Sequence, residues 1–242
     1  MRKFGLIGFP LTHSFSKKYF EEKFQREAIS NCSYDLFPLV SIEEYPSLVK
    51  SNPDLIGLNV TIPYKELVIA FLDELSKEAR EIGAVNCIKR NNGKLEGWNT
   101  DCYGFEVSMQ KLLITIPDKT FVLGTGGSSK AVQFVLRKLN FPFVKVSREK
   151  KDDCIAYHEI AKEMGAKNLF INTTPCGMFP EIDTAPEIPY ELLSENDSLF
   201  DLVYNPSETL FLKRGKEKGC GVKNGLEMLQ LQAEKSWEIW NS

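Results

Sequence analysis

Thr120 to Leu123 is a short, apolar, β-prone run that leads straight into Gly124-Thr125-Gly126-Gly127-Ser128-Ser129-Lys130-Ala131. No other feature constrains the fold as much. Glycines at a strand end let the backbone turn sharply, and the helix that follows carries Ala131, Val132, Val135, Leu136 and Leu139 on one stripe. Phe143 to Val146 is the next strand, so the segment reads strand, glycine turn, helix, strand. Such a βαβ unit calls for a parallel sheet with helices on its faces. It also places a helix N-terminus where a pyrophosphate can sit close to Gly124, Gly126 and Gly127, with Ala131 small enough to replace the usual third glycine in helix packing.

A nucleotide with a free ribose 2′-hydroxyl wants an acid at the end of the second strand, but that strand ends Val146-Ser147-Arg148. Arg148, backed by Lys150 and Lys151, offers donors for a 2′-phosphate instead, which favours NADP over NAD. Glu149 in their midst works against a phosphate, and a solvated charge run is the alternative reading of the same residues.

The 242 residues, 43% of them hydrophobic, can bury one large core or two smaller ones. With 30 basic and 33 acidic side chains the formal charge is -3, which gives no footprint for nucleic acid or an anionic membrane. No window approaches the roughly 18 apolar residues of a span, and the first residues turn polar too soon for a signal peptide. Six cysteines without a C-x-x-C pair fit reduced thiols, so the expected location is the cytoplasm. His13 and His158 are the only histidines and neither has a ligating partner at helical spacing, so no metal is expected.

Before the glycine turn, Phe4 to Ile7 and Leu55 to Val60 read as buried strands, Lys17 to Arg26 and Ser76 to Ile82 as helices. Val85 to Ile88 and Leu95 to Trp98 flank Asn91-Asn92-Gly93, a hairpin signal. A helix is expected over Tyr103 to Leu113. Beyond the turn, strands are expected at Asn168 to Ile171 and Leu199 to Val203, and helices at Tyr157 to Met164 and Leu226 to Trp240. The stretch from Arg148 to Asn172 leaves room for one helix, so a crossover helix is expected to be missing.

Three polar segments follow strand ends or open a helix in this first half: Gly8-Phe9-Pro10-Leu11-Thr12-His13-Ser14-Phe15-Ser16, Asn59-Val60-Thr61-Ile62-Pro63-Tyr64-Lys65 and Asn99-Thr100-Asp101. Alone, their serines and aspartate could be helix caps. Together with Ala84-Val85-Asn86, Asn172-Thr173-Thr174-Pro175, Asp201-Leu202-Val203-Tyr204-Asn205-Pro206 and Asn224-Gly225-Leu226 to Gln232-Ala233, their order and spacing resemble the shikimate dehydrogenase family over nearly the whole chain. The resemblance implies reversible reduction of 3-dehydroshikimate to shikimate with NADPH, a step toward chorismate and the aromatic amino acids.

It also implies roles. Lys65 and Asp101 become the catalytic pair, and Ser14 and Ser16 meet the substrate carboxylate with Tyr204 nearby. Asn59, Thr61, Asn86 and Gln232 take the polyol face. Ser128 joins the three glycines at the pyrophosphate, Ser147 and Arg148 take the 2′-phosphate, and Thr173, Val203, Gly225 and Met228 lie on the nicotinamide side. His13 shapes its loop, and Cys102 is a small buried neighbour of Asp101. In the family the two serines are usually followed by a proline and a His-Asn pair, and Arg148 lies between Asn and Thr; this chain has Lys17-Lys18-Tyr19 and Ser147-Arg148-Glu149.

The expected architecture is two α/β domains: residues 1–101, a mostly parallel sheet completed by a C-terminal helix over 224–242, bind substrate, and 102–223 form a Rossmann-like NADP domain, with a cleft between. The expected protein is a monomer or homodimer that takes a small-molecule acid and binds neither nucleic acid nor membrane. Two other readings stay open: a quinate/shikimate dehydrogenase using NAD, and a ligand sensor on the same fold without catalysis.

Overall fold

The computed structural model describes residues 1–11, 14–113, 115–150 and 153–242, which leaves His13 and Lys151 outside. The chain gathers into two compact units, Met1–Thr100 with Ala233–Ser242, and Asp101–Gln232.

In the first unit the order is β1 (Arg2–Gly8), α1 (Phe15–Arg26), β2 (Cys32–Pro38), α2 (Tyr45–Ser51), β3 (Leu55–Val60), β4 (Glu74–Leu75), α3 (Lys77–Ile82), β5 (Cys87–Asn91) and β6 (Lys94–Trp98). The strands lie side by side as β2-β1-β3-β5-β6-β4. β2, β1 and β3 run parallel, whereas β3-β5 and β5-β6 are antiparallel and β4 pairs parallel with β6, so the sheet is mixed. The antiparallel pair comes from the Asn91-to-Gly93 turn, where Asn92 and Gly93 have φ of 50° and 83°, the left-handed values that a two-residue hairpin needs. β1 and β3 each carry a short apolar run because both faces are covered. Tyr45, Leu58, Val60, Val68 and Ile88 pack on one side, and Phe4, Phe20, Phe24, Ile239 and Trp240 on the other.

The second unit holds α4 (Asp101–Gln110), β7 (Lys119–Leu123), α5 (Gly127–Lys138), β8 (Phe143–Ser147), β9 (Cys154–Ala156), α6 (Ile160–Glu163), β10 (Asn168–Asn172), β11 (Ser198–Asp201), α7 (Leu210–Glu217) and β12 (Gly221–Lys223). α8 (Leu226–Asn241) starts in this unit and finishes in the first. Every pairing in the order β9-β8-β7-β10-β11-β12 is parallel. Strand order therefore reverses between β7 and β10, the place where doubly wound sheets open a ligand crevice. Phe121 and Phe170 stack there with ring centroids 4.9 Å apart. The α5 stripe is buried at Ala131, Val132, Val135 and Leu136. Among the described residues no α-helix separates β8 from β9, and none is long and apolar enough to cross a membrane. All six cysteines are free thiols.

Candidate active site

The polar residues of the first unit collect where β1 and β3 end. Thr61 donates its backbone N–H to Ile7 at 2.9 Å, and its methyl group fills the space that a side chain on Gly8 would take. Ser14 occupies the cap position of α1 but makes no side-chain capping bond, and its buried Oγ has no partner among the described residues. Ser16 lies half-buried in the first turn of α1.

Asn59 is 5% exposed and fully engaged on its donor side. Its Nδ2 donates to the Asn86 carbonyl at 3.2 Å and to Ser236 Oγ at 3.0 Å, while Oδ1 accepts from Tyr34 at 2.8 Å. A direct donor role toward a polyol, which the resemblance implies, would break one of these bonds; Asn59 is better placed to hold its neighbours. Asn86 Nδ2 donates to Thr100 Oγ1 at 3.0 Å, and its Oδ1 accepts from the Thr100 N–H at 2.6 Å. The adjacent Val85 N–H donates to the Lys65 carbonyl at 2.7 Å. Two consecutive residues thus fix the backbone of half-buried Lys65 and of the segment that leads into buried Asp101, the first residue of α4.

In the second unit Gly124 has φ 106°, and a Cβ there would come within 2.8 Å of Thr173 Oγ1, so the turn admits no side chain. Thr173 in turn donates both its N–H (3.0 Å) and its hydroxyl (2.6 Å) to the Leu123 carbonyl, which joins the two loops of the switch point. Gly126 caps α5 without a side-chain bond and a Cβ on it would meet nothing within 4 Å. Gly127 and Ser128 begin that helix, half-buried, while Ser129 Oγ donates to the Gly124 carbonyl at 2.7 Å. The space over Gly126 and the unpaired N–H groups behind it suit a pyrophosphate.

Arg148 is exposed after β8, and the Ser147 hydroxyl is turned onto the Glu149 carbonyl. Lys150 does not back Arg148 as expected: it forms an ion pair with Glu159 at 2.7 Å, which holds that carboxyl below its ordinary value. Val203 and Met228 are buried, and a Cβ on buried Gly225 would overlap the Leu202 carbonyl. Gln232 is buried with Nε2 on the Leu229 carbonyl at 2.9 Å, and Tyr204 is half-buried with its phenol pushed up by that burial.

Asp201 has no site role in the sequence motifs, yet the fold gives it one. Fully buried, it accepts from Asn172 Nδ2 (2.9 Å), the Val203 N–H (3.0 Å) and Thr209 Oγ1 (2.6 Å), and so ties the loops after β10 and β11 together. Burial lifts its pKa from 3.8 to about 6 against those three hydrogen bonds. Between pH 4 and 6 the unfolded carboxyl ionises while the folded one stays protonated, so this group's contribution to stability falls as pH rises, by about 3 kcal/mol in total. Asp201→Asn removes that titration. The unfolding free energy of the variant relative to wild type is expected to rise by about this amount from pH 4 to 7; a flat difference in urea titrations would contradict the assignment.

With this geometry in hand, comparison with known proteins is direct. Residues 6–88 match the family model for the shikimate dehydrogenase substrate binding domain. A shikimate dehydrogenase (NADP(+)) of Clostridium beijerinckii is 41% identical over 99% of this chain and 92% of its own length. The crystal structure of a chorismate mutase/shikimate 5-dehydrogenase fusion protein from Clostridium acetobutylicum superposes with a TM-score of 0.89 at 38% identity, over 100% of this chain and 91% of that one. The Thermus thermophilus shikimate 5-dehydrogenase in complex with NADP(H) and shikimate gives 0.85 at 31%, covering 99% and 93%. Motifs, strand order and similarity along the full length agree, and the chain belongs to the shikimate dehydrogenase family.

Proposed function

We propose that the chain interconverts 3-dehydroshikimate and shikimate with NADP(H), in the cytoplasm. The first unit and the terminal helix hold the acid; the second holds the nucleotide. What supports the reading is the Val85-Asn86 pair, which holds the Lys65 carbonyl and the Thr100 backbone N–H at 2.7 and 2.6 Å, the backbone on which the proposed catalytic lysine sits and the residue before the proposed aspartate.

NADPH, when bound, supplies the hydride. Gly124, Gly126, Gly127 and Ser128 hold its pyrophosphate, Ser147 and Arg148 its 2′-phosphate, and Thr173, Val203, Gly225 and Met228 its nicotinamide side. Lys65 gives a proton from Nζ to the substrate oxygen as the carbonyl is reduced, and its positive charge stabilises the developing alkoxide. In the reverse direction the neutral amine takes the proton of the hydroxyl. Asp101 orients Lys65 and accepts from ring hydroxyls. Ser14 and Ser16 donate to the carboxylate with Tyr204 nearby, while Thr61, Asn86 and Gln232 meet the polyol and Asn59 supports them.

The test is side-by-side turnover of shikimate and quinate with NADP and with NAD. The reading expects shikimate with NADP to give the highest kcat/KM. Preference for quinate or NAD would move the chain to the quinate-using relatives, and binding without turnover would make it a sensor.

A further inference from the structure

We propose that Asn172 is a positioning residue for the nicotinamide half of the coenzyme, joining through one carboxamide the two loops that carry Thr173 and Val203. The inference rests on the functional reading above for the roles of those two residues.

Asn172 ends β10 and Asp201 ends β11, and the two are partners in the parallel register. The Leu202 N–H donates to the Asn172 carbonyl at 3.0 Å. Another backbone bond between the two loops, from the Phe179 N–H to the Asn205 carbonyl at 3.1 Å, lies beyond Thr173 on one side and Val203 on the other. The Asn172 side chain fills the interval. It is fully buried, so it acts through its neighbours and not by touching a ligand. Oδ1 accepts the Thr174 N–H at 3.0 Å and the Thr174 hydroxyl at 2.6 Å, which closes a turn around Thr173. Nδ2 donates to the Cys176 carbonyl at 3.2 Å and to Asp201 Oδ1 at 2.9 Å. That same carboxylate oxygen accepts the Val203 N–H at 3.0 Å. Both donors and both acceptor positions of the carboxamide are thus in use.

These partners also fix which way the carboxamide faces. The Thr174 N–H can only donate and the Cys176 carbonyl can only accept, so a flipped Asn172 would set N–H against N–H and oxygen against oxygen. Thr173, inside the turn, places its own N–H and hydroxyl on the Leu123 carbonyl, and a Cβ on Gly124 would come within 2.9 Å of Thr174 Cγ2. Both loops therefore hold one arrangement before the coenzyme arrives, which lowers the cost of ordering them on binding. The groups assigned to the 2′-phosphate, Ser147 and Arg148, follow β8, on the other side of β7 from β10, and share no bond with Asn172 among the described residues.

Asn172→Ala removes all four side-chain bonds. Wild type and N172A would be titrated calorimetrically with NADP, with adenosine 2′,5′-bisphosphate, which lacks the nicotinamide half, and with shikimate, and compared by steady-state kinetics. For N172A, Kd and KM for NADP are expected to rise about 10-fold and kcat to fall several-fold, because a misplaced nicotinamide loses its alignment for hydride transfer. Kd for the bisphosphate and for shikimate should stay within about 2-fold of wild type, since their contacts lie on other segments. An asparagine needed only for stability would lower the melting temperature and leave every Kd in place, and general damage to the unit would weaken both nucleotides alike. If N172A does not fold, Thr174→Val, which deletes one hydroxyl and keeps the methyl group and the N–H bond, is measured in the same way, and Kd for NADP should rise several-fold with that for the bisphosphate unchanged. An unchanged Kd for NADP in the variant measured, or an equal rise for the bisphosphate, would overturn the inference and leave the function standing. Wild-type protein that binds no NADP, or binds it without oxidising shikimate, would overturn the functional reading itself.

Discussion

Lys65→Ala should lower kcat by about 10³-fold while shikimate still binds within a few-fold of wild type. The proton must reach the substrate oxygen as hydride reaches carbon, and a methyl group can neither deliver it nor stabilise the alkoxide. Binding persists because the carboxylate and polyol contacts come from other elements, and folding persists because the half-buried Lys65 side chain lies outside the apolar clusters while its backbone carbonyl still accepts from Val85. Stopped-flow turnover with calorimetric binding would separate the two effects. Undiminished kcat would remove Lys65 from the mechanism; lost binding with normal kcat would make it a ligand for substrate only.

The largest expected effect on stability is at Trp240. This residue is 2% exposed, packs at 4.9 Å on Phe4 and 5.4 Å on Phe20, and donates Nε1–H to the Ile88 carbonyl at 2.9 Å. Its indole occupies the space that Gly57 leaves open on β3, since a Cβ there would overlap it. Trp240→Ala therefore empties a large volume and removes the Nε1–H bond to Ile88, at a cost of about 3–5 kcal/mol in the unfolding of the first unit. Trp240→Phe should recover much of that. Urea midpoints close to wild type for the alanine variant would contradict the packing account.

Much of the fold was legible because the decisive signals are local. β1, β3 and β7 each contain a short apolar run, the Asn92-Gly93 pair specifies its hairpin, and the α5 stripe is one-sided. α1 and α4 each begin two residues before the stretch read from periodicity, since Phe15 and Asp101 belong to first turns where the apolar pattern has not yet started. β9 and β12 are three residues each, too short to show a period. β2 escaped because its burial does not alternate. α7 did leave a signal: Thr209 caps it through Leu212 N–H, and Phe211, Leu212 and Gly215 form its buried face.

For the site, the motifs carried the residue types but not their partners. Asn59 reads as a substrate donor in sequence, whereas its N–H groups are spent on Asn86 and on Ser236, 177 positions away. Asp201 reads as part of a motif strand, yet its weight comes from donors on three segments that meet only in the folded unit. Tyr34 carries no local mark at all. Satisfaction of buried polar groups is a property of the tertiary structure, and one chain read alone does not display it.

The central claim is hydride transfer to a ring carbon. Purified protein would be incubated with 3-dehydroshikimate and NADPH dideuterated at nicotinamide carbon 4, and the shikimate formed analysed by mass spectrometry. The account predicts product heavier by about one mass unit, with the deuterium on the carbinol carbon. Unlabelled shikimate, or no shikimate at all from folded protein, would contradict it.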